Sequence, residues 1–266
     1  AAPTAVTTGV RARPRQRRLA ICTFIQWSAV RPLSVKPLGN KIDGLNLRFR
    51  PSIQLTVPGS GAKIQETGLT SFSIDRATYS VGESALDLMV LEKTGFPEFF
   101  QGHQVIREGS LDNATLAENG FAGSTADRFS DAGRVTGMMR ELGPTSNMAM
   151  SDGFDFMAAS VVHLFDSPDS VHHWMHDIFL KDFEDQIGES VGPGHQLVSA
   201  TRLEPQGFFD EAVGLRILQG GTNGLISSTV VDFRVGRLLG VVFIGAVGDH
   251  DRLRPVEQLG QALEKQ

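Results

Sequence analysis

Residues 154–188, FDFMAASVVHLFDSPDSVHHWMHDIFLKDFEDQIG, set an apolar strand, a stop and an amphipathic helix in direct succession. Side chains alternate faces along a strand, so Phe156, Ala158, Ser160, Val162 and Leu164 share one face. Met157, Ala159, Val161, His163 and Phe165 share the other. Both sets are mostly apolar, which predicts a central strand covered on both sides. Asp166-Ser167-Pro168-Asp169 ends it. Ser167 is placed to cap a helix, and Pro168 fits the first helical position, where no N–H is needed. Asp166 and Asp169 lie at the positive end of the helix dipole. Val171, Trp174, Met175, Ile178, Phe179, Phe183 and Ile187 then recur at steps of three and four. That stripe needs a sheet to cover it, and Gly188 suits the C-cap.

Four apolar segments follow, over 196–202, 212–218, 225–235 and 238–246. Gly220-Gly221-Thr222-Asn223-Gly224 suits a hairpin loop, and Val235-Gly236-Arg237 a tight reversal. Strands joined by connections this short pair antiparallel. Leu253, Val256, Leu259 and Leu263 predict a last helix over 252–265, with Asp251 near its start. A run of strands with helices before and after it predicts an α+β fold: an antiparallel β-sheet with flanking amphipathic helices.

Upstream the patterns are weaker. Residues 43–82 read as a strand-rich N-terminal extension, with alternation at 45–49, at 53–57 and in SFSIDRATY at 71–79. The core domain is expected over 83–266. Within it, 84–93 reads as a short helix, 105–108 as a strand, 112–120 as a helical turn capped by Asp112, 123–131 as a loop and 134–142 as a strand.

Charge is unevenly spread. The net formal charge is −5, yet residues 1–42 carry eight basic side chains and no acid. Arg11, Arg13, Arg15, Arg17 and Arg18 make a basic arm able to contact a partner protein or another anionic surface. The arm has no interleaved aromatics, and the acidic body opposes wrapping by nucleic acid, so a targeting segment or docking tail fits better. LAICTFIQWSAV at 19–30 follows the arginines as an apolar segment follows the basic region of a secretory signal. An acid-free, Arg-rich organelle-targeting segment is the alternative. The run is too short for a transmembrane span. Leu19-Ala20-Ile21-Cys22 has the outline of a lipidation box, but Ile21 stands where a small residue is needed. Cys22 is the sole cysteine. No intrachain disulfide, Cys-based zinc site or iron–sulfur cluster can form, and no cofactor signature is present.

FDSPDSVHHWM after a strand, and VVDFRVGRLLGVVFIGA before a final helix, are similar to small bacterial extracytoplasmic α+β domains, those of lipoproteins and sensor-kinase ectodomains. The resemblance covers about 154–266. It implies a compact antiparallel sheet with flanking helices, used to bind a ligand or partner, and it offers no catalytic residues. The absence of cysteine pairs and the basic arm depart from the common form.

Histidines form the densest polar cluster. His172 and His176 lie four apart on one helical face and can chelate a metal, with Asp169 three before His172. No Glu occupies the H-E-x-x-H base position. A third ligand is needed, and His163, His195 and His250 are the candidates. The plainer alternative leaves these rings at the rim of the core, satisfied by solvent and acids. Asp249-His250-Asp251 is either a base flanked by carboxylates or a helix cap, and capping is the commoner use. Phe99-Phe100 and Phe208-Phe209 either line a groove or pack in the core. The glycine loop lacks the Lys-Ser/Thr of a phosphate-binding loop, and Gly-x-Ser-x-Gly is absent.

The leading functional expectation is therefore a non-enzymatic, extracytoplasmic domain that binds a small ligand or a protein partner, as an accessory subunit. Its rival is a metal-dependent hydrolase-like enzyme built on His172 and His176. A third reading is a structural subunit docked through its basic arm.

Overall fold

The computed structural model describes residues 74–192, 194–221 and 224–266. The basic arm, the apolar run at 19–30 and the alternating segments at 45–57 lie outside them. After a helical turn at 74–78 come three short 3-10 turns (Glu83–Leu88, Lys93–Gly95, Glu98–Phe100). Then follow β1 (Gln104–Ser110), α1 (Asn113–Glu118), α2 (Ala126–Asp131), β2 (Arg134–Gly143) and β3 (Asp155–Phe165). A continuous helical segment is built from α3 (Pro168–His173), a π-helical turn (Trp174–Phe179) and α4 (Leu180–Asp185). The remainder is β4 (Ser190–Gly192), β5 (His195–Leu203), β6 (Ala212–Gly221), β7 (Gly224–Val235), β8 (Leu238–Val247) and α5 (Leu253–Glu264).

Among the described residues, eight strands join one antiparallel sheet in the order β1-β2-β3-β8-β7-β6-β5-β4. The helical segment after β3 carries the chain to the far edge, and four successive reversals bring it back until β8 lies beside β3. The fold class is thus the α+β arrangement expected from the pattern. One face of the sheet is covered by α1, α2 and the α3–α4 segment, through Phe129, Trp174, Met175, Phe179 and Phe183 among others. The 3-10 turns and α5 cover the other, through Leu86, Phe100, Val256 and Leu259. β3 is buried along nearly its whole length, as its two apolar faces require.

Several local expectations are corrected. Phe156 packs with the Met157 face because a bulge between Asp155 and Met157 breaks the alternation. Residues 74–78, read as part of a strand, are helical. Arg237, at the β7–β8 reversal, holds them: its guanidinium donates to the carbonyls of Thr78 at 3.0 Å and Val81 at 2.7 Å. Residues 126–131, read as a loop, form α2, capped by Thr125 Oγ1, which accepts the Arg128 N–H at 3.0 Å. Phe129 is the sole buried residue of that short helix, too little for a period to show. The α3–α4 segment ends at Asp185, so Ile187 falls beyond it and is 46% exposed. Ser167 and Asp112 cap their helices as expected.

Candidate functional site

Between the sheet and its first helical layer lies a small, partly open cleft with a cavity volume of about 50 Å³. The π-helical turn forms much of one wall with Trp174, Ile178 and Phe179; Leu116 of α1, Phe129 of α2 and Phe183 of α4 complete it. The sheet supplies His163 from β3, Val241 from β8 and Asp232 from β7. A π turn widens the helix locally, and such turns often occur at functional sites. Here it turns four side chains, Trp174, Met175, Ile178 and Phe179, into the interior. The Trp174 ring packs against Phe129 and Phe165 at centroid distances of 5.2 and 5.5 Å. Arg128 clasps Asp182, another lining residue, with two hydrogen bonds of 2.8 and 2.7 Å and so ties α2 to α4.

Two buried polar groups face this apolar enclosure. His163 Nδ1 lies 3.1 and 2.9 Å from Nε and Nη2 of Arg134. A guanidinium only donates, so Nδ1 accepts and the ring proton sits on Nε2. Burial first, and the Arg134 charge second, hold the ring well below the ordinary histidine range, hence neutral. Burial also lowers Arg134 to about 9, which leaves it protonated at neutral pH. Its remaining donors reach the Leu111 carbonyl at 2.6 Å and the Asn113 side chain. Asp232 is different. It is buried, and its Oδ1 has no hydrogen-bond partner among the described residues. Burial alone pushes its carboxyl well above the usual range. An unpaired buried carboxyl costs several kcal/mol if ionised, so burial favours the neutral form.

His172 and His176 do converge, on Glu211 just before β6. His172 Nδ1 lies 2.8 Å, and His176 Nε2 2.6 Å, from Glu211 Oε1. Asp169 is exposed and outside this group, and the third member is a carboxylate rather than His163, His195 or His250. His173 turns away to Asp177, at 3.1 Å. The Asp249-His250-Asp251 knot comes apart: Asp249 pairs with Arg216, His250 meets Asp152 at 3.0 Å, and Asp251 accepts the Leu253 N–H at 2.8 Å where α5 begins. Phe99 is 49% exposed while Phe100 is buried, and Phe208 stacks on Phe233 at 5.0 Å while Phe209 is 50% exposed, so each pair is split between core and surface.

No protein-family model matches the sequence, and no curated protein matches it. Among solved structures the chain is similar to the extracellular domain of PknH from Mycobacterium tuberculosis, with 10% identity and a TM-score of 0.47. The match covers 70% of this chain and 95% of that one. This is a weak resemblance to an extracellular domain, and it assigns no activity. Among the described residues no helix is long and apolar enough to cross a membrane.

Sequence reasoning passed over Asp232 and Glu211. Asp232 had a signal: an acid at an inward position of an apolar strand, VVDFRV, in step with Val230. Glu211 had none, since its partners lie 35 and 39 positions away and only the fold joins them.

Proposed function

We propose that the chain is a non-enzymatic, extracytoplasmic binding domain whose cleft takes a small, largely apolar molecule bearing a hydrogen-bond-donating head, an amine being the simplest. Asp232 carries this reading: a buried carboxyl whose Oδ1 lacks a partner lies at the floor of a cleft with aromatic walls. Pockets of this composition, apolar with a few placed polar groups, are the usual form of small-molecule sites. An ammonium there gains a charge partner at Asp232 and the ring faces of Trp174 and Phe129. A binding role is favoured over catalysis because the acceptor nitrogen of His163, the histidine that lines the cleft, is already engaged by Arg134. Ser124 lines the cleft without a paired base among the described residues. Docking through Arg11, Arg13, Arg15, Arg17 and Arg18 belongs to the same proposal as the contact to a partner or anionic surface.

A thermal-shift panel of aryl and alkyl amines, with alcohols and carboxylates of matching shape, tests the reading. Amines are expected to raise Tm more than their isosteres, and Asp232→Asn to remove the preference. An unresponsive panel, or a preference untouched by Asp232→Asn, would contradict it.

A further inference from the structure

We propose that His172, His176 and Glu211 form a binding site for a divalent transition-metal ion of the zinc class, separate from the cleft. Three observations carry this. First, the donor atoms converge: one nitrogen from each ring and a carboxylate oxygen all lie within 4.8 Å of one another. The two rings share a helical face, with centroids 4.6 Å apart. Second, the carboxylate is already oriented. Arg234 Nε donates to Glu211 Oε2 at 3.3 Å, and its backbone N–H donates to the Glu211 carbonyl at 2.8 Å. Oε1 is thereby left facing both rings, the kind of outer support that fixes a metal ligand. Third, the donor set is two imidazoles and one carboxylate, which suits zinc and its neighbours and leaves a coordination position open for water.

The convergence is tighter than ligation requires. Donors about 2.0–2.1 Å from a tetrahedral ion stand about 3.3 Å apart, whereas the rings lie 2.8 and 2.6 Å from Glu211 Oε1. An ion therefore has to spread the group by several tenths of an ångström. The His172 side chain is 59% exposed and that of His176 36%, so both rings have room to move. The ion takes the place of the direct ring–carboxylate contacts, and it ties α3 and the π turn to the segment leading into β6. No glutamate base stands beside the pair on the helix, so the inference is one of binding and carries no hydrolytic step.

Tag-free protein, stripped with chelator, is titrated with cobalt(II) and then zinc. The expected result is one cobalt per chain, with the strong visible absorption of a low-coordinate site, displaced by one zinc, and a rise in Tm. Glu211→Gln and His176→Ala are each expected to weaken cobalt binding about tenfold or more. His172→Gln changes an exposed side chain, so it tests the site even where the other two variants fold poorly. His173→Ala, which alters the ring beside the site, is expected to leave affinity unchanged. Absence of binding at the wild-type chain, or affinity indifferent to His172→Gln, would overturn the proposal. So would equal loss in His173→Ala.

Discussion

Burial lifts the Glu141 carboxyl to about 7, with the Arg107 guanidinium 3.8 Å away offsetting only part of that rise. The same burial brings Arg107 down to about 10. A raised carboxyl pKa means that the folded chain holds this proton more tightly than the unfolded chain does. The stability it contributes is complete below the unfolded value near 4.5 and is lost as pH rises through about 7. The difference amounts to roughly 3 kcal/mol. Urea unfolding across that window should show wild type losing stability with rising pH relative to Glu141→Gln, and parallel curves would refute the assignment. Asp232 shifts in the same direction for the same reason. The sequence carried a trace of the second in the acid of VVDFRV but none of the first, because Glu141 acquires its environment only when β1 sets Arg107 opposite it.

The β7–β8 hairpin shows how pattern becomes packing. Gly240 lies opposite Phe233, and the phenyl ring occupies the space where a Cβ at Gly240 would stand. Gly240→Val is expected to cost about 1–3 kcal/mol through overpacking, read as a lower urea midpoint with an unchanged slope. A midpoint equal to wild type would show that the ring is free to move aside. Strands of this kind were legible because their alternation is long and their turns are short. β5 to β8 and α5 fall where the apolar pattern puts them. Shorter elements were not legible. α2 has one buried side chain, and residues 74–78 owe their helical form to Arg237, which is far away in sequence. The π turn is equally hidden, since Trp174, Met175, Ile178 and Phe179 also fit an ordinary helical stripe.

Across the sheet, the chain order explains why a site exists where it does. Because β8 inserts beside β3, the inward residues of β3, β8 and β7 meet on one face, under the helical segment that made the crossing. His163 and Asp232, 69 positions apart, thus line one cleft roofed by Trp174. Sequence reasoning anticipated the covered sheet and the helix over it, and weighed the histidines of that helix as a metal site or as rings at the rim of the core, but did not anticipate the cleft. The cleft lies on the opposite, apolar side of the same helix. Trp174 makes the central claim measurable, as the chain has only two tryptophans. In a Trp27→Phe background, titration with an aryl amine should give a saturable change in Trp174 fluorescence that Asp232→Asn abolishes. Fluorescence that stays flat, or saturates identically in Asp232→Asn, would contradict a ligand held at Asp232.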